Sequence, residues 1–313
     1  MKSLFKTLAA TCAIIPFAQC ALLPGTGAAR AAEPVAAEAA APTVDADPAL
    51  WVVKDDDTTI YLFGTVHFLK PGLGWFDEAV KSAFDGSDEL MLEMLMPEDP
   101  AAVKAVTDKM AIDPAGRTMA SRMSKEAHDA YAASMVSVGL PPEAFEKYEP
   151  WFVAVNLSVL PLLIKGYNPQ LGPEMVLTGA AKAGGKPIGA FETIEEQYGF
   201  FDNLSDASQL AYLDTVVRDM DKVVPTLDTL VAQWVKGDPA ALAVTMNESM
   251  TETPELAKIL LYDRNARWAD TLKTRMDKPG TVFVAVGAGH LAGDKSVQAY
   301  LTERGLTVQR VDY

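Results

Sequence analysis

Short runs of β-branched and aromatic residues stand at the two ends of this chain, with long stretches of apolar positions spaced three and four apart between them. Leu50 to Lys54 and Thr58 to Phe63 near the start, and Thr281 to Val286 and Leu306 to Val311 at the close, read as strands. Asp55-Asp56-Asp57 supplies turn chemistry between the first two, which predicts a hairpin. Leu90 to Glu93 and Lys186 to Phe191 add two further strands. Phe76 to Phe84 reads as a short helix. Residues 97 to 167 read as helices broken at Pro114, Pro141-Pro142 and Pro150, and residues 205 to 277 as helices punctuated by Gly237-Asp238-Pro239 and Pro254. Lys295 to Arg304 is helical again. Strands separated by helices predict an α/β fold, a central mixed sheet flanked by helices. The helical stretches within about 97–277 are long enough to form an insertion beside that sheet.

Composition changes the picture mainly at the N-terminus. Lys2 and Lys6 precede a mostly apolar run from Leu8 to Leu23, and Ala29-Arg30-Ala31 offers small residues for cleavage. Residues 1–31 are therefore expected to be a signal peptide, and the protein to be periplasmic or secreted. Pro16, Gln19 and Pro24 interrupt the run and argue against a permanent membrane span. Phe17-Ala18-Gln19-Cys20 loosely resembles a lipoprotein cleavage box, so a lipid anchor at Cys20 is the minor alternative; Gln19 is too large for its position. Residues 32–48 are Ala, Pro and acid with no large apolar side chains, and read as a disordered linker. The α/β domain is expected over 49–313.

Both cysteines, Cys12 and Cys20, lie in the leader. A mature chain has no thiol, so a cysteine nucleophile is excluded and a metal would need nitrogen and oxygen ligands. The formal charge is -15, and cleavage after Ala31 removes three bases and no acid. Nucleic acid needs a basic surface, so it is not an expected partner.

The candidate chemistry lies at strand ends. The chain has 3 histidines. Two of them follow an apolar strand and a glycine in the same way: Gly64-Thr65-Val66-His67 and Gly287-Ala288-Gly289-His290. Glycine lets the backbone turn as it leaves a sheet, and ligands bind in the crevice beyond the carboxyl ends of strands. Glu93 ends one apolar strand. Glu192 ends another, just before Thr193 and Glu196, whose spacing forms a capping box. Two imidazoles and two carboxylates at one end of a sheet suit a divalent ion such as Zn²⁺ or Mn²⁺, with a water left for attack. Each feature also has a plainer reading: glycine turns are common, and Glu93 and Glu192 serve equally well as partners of arginines. Arg264-Asn265, near Trp268, suits either an ion pair or a substrate contact. His128 reads as a solvated helix residue.

One imitation of a nucleotide site is set aside. Strand 281–286, Gly287-Ala288-Gly289 and the following helix and strand resemble a dinucleotide-binding unit, but such a unit opens a domain and needs further strands after it. No Gly-x-Ser-x-Gly elbow, His-Glu-x-x-His motif or phosphate-binding Gly-Lys-Ser/Thr loop is present.

Taken in order, several segments resemble the TraB/GumN family, relatives of the Tiki metalloproteases, over roughly residues 50 to 313. They are Leu62 to His67, Glu93, Lys186 to Thr193 with Glu195-Glu196-Gln197, Arg264-Asn265 with Trp268, and Gly287 to Gly293. The resemblance implies a fold shared with erythromycin-esterase-like and haem-binding ChaN-like proteins. It also implies a metal-dependent peptidase site, with Mn²⁺ or Co²⁺ preferred, on His67, Glu93, Glu192 and His290, with Arg264 and Asn265 less surely. Phe191 stands where the family usually has Leu, which is expected to reshape the pocket.

Two readings follow. In the first, His67, His290 and one glutamate hold the ion, the other glutamate takes a proton from the metal-bound water, and Arg264 or Asn265 holds the oxyanion; the substrate is a peptide or protein. In the second, the chain binds haem or a metal without catalysis, with one histidine as axial ligand.

Overall fold

The structure is a computed structural model that describes residues 44–250 and 254–312, with backbone alone at 247–250 and 254. The signal peptide and most of the linker expected from the sequence lie outside the described residues. Eight strands are described: β1 (Val44–Asp45), β2 (Leu50–Lys54), β3 (Thr58–Thr65), β4 (Leu73–Gly74), β5 (Glu89–Met94), β6 (Ile188–Glu192), β7 (Gly280–Gly287) and β8 (Val308–Arg310). Six form the main sheet in the order β6-β5-β7-β3-β2-β8; β1 and β4 pair separately. β2 is antiparallel to both β3 and β8, whereas β3, β7, β5 and β6 run parallel. The fold is α/β, a mixed sheet with helices on both faces.

The hairpin forms because Asp55 turns the chain. Its side chain accepts from the backbone N–H of Thr58 at 2.9 Å, and its own N–H donates to the Thr58 carbonyl. β3 runs two residues beyond its apolar run, since Gly64 and Thr65 still pair with Val286 and Gly287 of β7. β7 and β8, the strands of the imitation nucleotide unit, are separated by β3 and β2.

Side-chain alternation divides the sheet into two buried faces. Phe63, Phe283, Ala285, Leu90 and Leu92 join the larger core beneath the helical mass. Ile60, Leu62, Val282, Val284 and Val286 face the other way, against Trp268, Ala269 and Leu272 of the Asp263–Arg275 helix and Val297 and Leu301 of the Val297–Glu303 helix. A parallel strand buried on both faces explains why β7 reads as a near-continuous apolar run.

Most helices fall either side of β6, from Pro100 to Ala183 and from Ile194 to Arg275. Pro114 lies between helices, and Pro141-Pro142 starts the short 3-10 helix Pro142–Phe145. Pro150 begins the Pro150–Ile164 helix, where its missing N–H costs nothing. The short helix expected at 76–84 starts at Glu78; Phe76 is drawn off to stack edge-on against Phe84 and beside Trp75. The Pro173–Ala183 helix has no counterpart in the sequence reading. No described helix is long and apolar enough to cross a membrane.

Candidate functional site

Pairing of Thr65 with Gly287 brings the two Gly-x-x-His segments off adjacent parallel strands at the same level. They pack closely. A Cβ added at Gly64 would lie 3.1 Å from Ala288 Cα, so the glycine serves the contact between the motifs; it is a paired residue of β3 and not the turn expected from the sequence. Beyond this point the two histidines enter different surroundings.

His290 is fully buried, and Asn265 and Arg264 bracket its ring. Asn265 donates from Nδ2 to the Lys295 carbonyl at 2.7 Å, which turns its Oδ1 toward His290 Nδ1 at 2.5 Å. An amide oxygen only accepts, so His290 carries its proton on Nδ1. The opposite nitrogen, Nε2, then accepts from Arg264 Nη1 at 3.2 Å. Burial first, and the Arg264 charge second, press the imidazole well below its ordinary pKa, so it is neutral. The Trp268 ring covers it at 4.3 Å between centroids.

Arg264 is the centre of this buried group. Its helix runs from Pro254 to Arg275 through a π-helical turn at Lys258–Tyr262. Such wide turns redirect backbone groups and are frequent at functional sites. Here Nη1 donates to the Leu260 carbonyl at 3.0 Å. Nε donates to Glu192 at 3.0 and 3.1 Å, and Nη2 to Glu192 Oε2 at 2.8 Å and Glu93 Oε2 at 2.7 Å. With His290, these bonds use all five guanidinium donors. Burial would lower the Arg264 pKa, but Glu93 and Glu192 outweigh it and hold the charge in place. Glu192 also accepts from Trp268 Nε1 at 3.0 Å and Gln197 Nε2 at 3.1 Å. Glu93 Oε1 accepts from the Gly287 N–H at 2.6 Å, which ties β5 to the first glycine of the second motif. Desolvation raises the Glu93 pKa despite Arg264 and His67.

His67 is buried beside this group, close enough for its charge to act on Glu93 and His290. With Glu93 and Glu174 it borders a cavity of about 470 Å³, whose remaining walls include Leu92, Met94, Met96, Met175 and Ile188. Its Nδ1 meets Glu174 Oε1 at 2.6 Å, and the buried Thr65 hydroxyl donates to the same oxygen. Burial alone would raise the Glu174 pKa; His67 and the hydrogen bonds outweigh that and hold it below the usual carboxylate range. A carboxylate there accepts Nδ1–H and places the basic lone pair of His67 on Nε2. Glu174 reaches His67 because Gly172 permits it: a Cβ at Gly172 would stand 2.4 Å from the His67 carbonyl oxygen. An antiparallel bridge between Leu69 and Asn168 holds the two segments together.

The six residues expected at the site therefore divide. His290, Glu93, Glu192, Arg264 and Asn265 form one hydrogen-bonded group; His67 and Glu93 border the cavity, and Glu192, Arg264 and His290 do not. The expected divalent-ion set does not fit its four donors. His290 Nε2, Glu93 Oε2 and both Glu192 oxygens already accept from Arg264, and no group of three or more His, Asp or Glu among the described residues is arranged to hold a metal. The five Arg264 donors are all engaged within the protein, Asn265 donates to the Lys295 carbonyl, and neither residue borders the His67 cavity. An axial haem ligand, the alternative expectation, would have to be His67. Phe191 stacks on Trp268 at 5.0 Å and does not border the cavity. His128 is a half-buried helix residue bonded to Glu146 at 3.0 Å.

Glu174 and Thr65 were missed. The signal was present: Gly172-Pro173-Glu174 places Pro at the first helical position and an acid in the first turn, a helix start pointing at the first motif.

No curated protein and no solved structure matches the chain. A family model does match it, over residues 49–310, which spans the sheet, both Gly-x-x-His motifs and every side chain described above. The chain belongs to the TraB/PrgY/gumN family.

Proposed function

We propose that this chain is an exported hydrolase of peptides or proteins that acts in the cavity bordered by His67, Glu93 and Glu174. The observation that carries this reading is the His67–Glu174 bond at the cavity wall. A histidine whose Nδ1–H is held by a carboxylate keeps a basic nitrogen aimed by its neighbour, the arrangement of an oriented general base. His67 takes a proton from water as the water oxygen bonds to the scissile carbonyl carbon. Glu174 stabilises the imidazolium that results. That imidazolium returns the proton to the leaving amine as the carbon–nitrogen bond breaks, while Glu93, whose oxygens accept from Arg264 and from the Gly287 N–H, remains an acceptor at the cavity wall. No step passes through a metal ion, because three of the four expected ligands, Glu93, Glu192 and His290, are engaged with Arg264.

Export rests on the leader-like residues 1–31, and recovery of the full-length chain from the cytoplasm alone would contradict it. The activity is tested by incubating the mature chain, with and without added Mn²⁺, with a mixed peptide library and reading products by mass spectrometry. Cleavage by the wild type is expected to fall by about 100-fold or more in His67→Gln, the scale of lost acid–base catalysis, with an unchanged melting temperature. Equal product from wild type and variant would reject the proposal.

A further inference from the structure

We infer that Glu93, Glu192 and His290 are ligands of Arg264 and not of a divalent ion: a fixed guanidinium stands where the family resemblance implies a metal. The donors and acceptors match in number and direction. All five guanidinium N–H groups end on Glu93, Glu192, His290 and the Leu260 carbonyl. Glu192 meets Nε and Nη2 side by side, the two-pronged geometry that suits a planar guanidinium and that a spherical ion does not require. The surroundings are shaped for the same group. The Trp268 and Phe200 rings lie 4.7 and 5.3 Å from the guanidinium carbon, as cation–π partners do. The π-helical turn directs the Leu260 carbonyl toward it.

The chemistry of displacement points the same way. A divalent ion bound by Glu93, Glu192 and His290 needs the lone pairs that now accept from Arg264. Arg264 would then be left buried at 2% exposure, beside a second cation and without its carboxylates. Stripping a buried charge of its partners is strongly unfavourable. His290 adds a geometric reason: Asn265 fixes its Nδ1–H, so Nε2 is its only acceptor, and that one faces Arg264.

The inference stands independently of hydrolase activity, because it is read by binding. The probe is Mn²⁺ added to the mature chain, with free ion followed by electron paramagnetic resonance, in wild type, Glu192→Gln and His67→Gln. No stoichiometric binding is expected that Glu192→Gln removes. Binding that survives Glu192→Gln, or disappears only with His67→Gln, leaves Arg264 with its ligands and supports the inference. One equivalent held by the wild type and lost in Glu192→Gln overturns it. The complementary variant is Arg264→Ala, which withdraws the cation from two carboxylates and an imidazole. Mn²⁺ is expected to bind that variant, or to restore its fold, where it does neither for the wild type. Where Arg264→Ala does not fold under any condition, the wild-type comparison still decides.

Discussion

The two Gly-x-x-His ends share a sequence pattern, leave neighbouring parallel strands and pack against each other, yet they carry different chemistry. His67 meets a carboxylate from the Pro173–Ala183 helix and borders a cavity. His290 meets an amide and a guanidinium from the Asp263–Arg275 helix and is sealed. The motif sets where each imidazole leaves the sheet. The helix packed over it decides its partner, its exposure and hence its use. One end holds an imidazole against a carboxylate at a cavity wall, where the proposed function puts proton transfer, and the other holds a buried cation in place.

The largest expected effect lies on the sealed side. Arg264→Met should destabilise the chain by about 3–5 kcal/mol in urea unfolding, because Glu93 and Glu192 are left buried without their cation. A loss well under 1 kcal/mol would mean that the carboxylates have other partners. Gly172→Ala comes next and probes the open side. With a Cβ 2.4 Å from the His67 carbonyl, it should cost ~1–3 kcal/mol and lower turnover by moving Glu174 away from His67. Unchanged stability and turnover would show that the helix start does not position the pair.

The smallest effect is a pH dependence, and its sign follows from His290. Burial and Arg264 keep the folded imidazole neutral, while in the unfolded chain it takes a proton below about pH 6.5. The unfolded state therefore binds more protons, and stability falls as pH drops through that value, by up to ~1.4 kcal/mol per pH unit. Glu93, with a raised pKa, works in the opposite sense, so the informative quantity is a difference. His290→Gln should be less stable than wild type near neutrality, and its curve should be flatter between about pH 6.5 and 5. Parallel curves would contradict a neutral, buried His290.

Much of the sheet was legible because strand signals are local. The turn at Asp55, the apolar run of β7 and the paired glycines each act over a few residues. The partner of each histidine was not, since it arrives from more than 100 residues away in one case and from another helix in the other. Arg264 still left a trace. Leu260, Arg264, Trp268 and Leu272 recur every four residues, so the apolar stripe that buries the helix carries the arginine inward with it. A charge within such a stripe is a buried charge, and a buried charge needs partners. Glu93 and Glu192, acids at the ends of apolar strands, were those partners. The same carboxylates fit a metal equally well from sequence alone, because composition does not distinguish an ion from a guanidinium.

The contrast between the two imidazoles is tested most directly by ¹H–¹⁵N correlation spectra of the mature wild-type chain, recorded from about pH 8 down to 5 across the ordinary histidine range. His290 is expected to stay neutral and protonated on Nδ1 at every pH in that range, its Nε2 held by Arg264. A His290 ring that titrates near its ordinary value, or carries its proton on Nε2, would contradict the arginine-centred site.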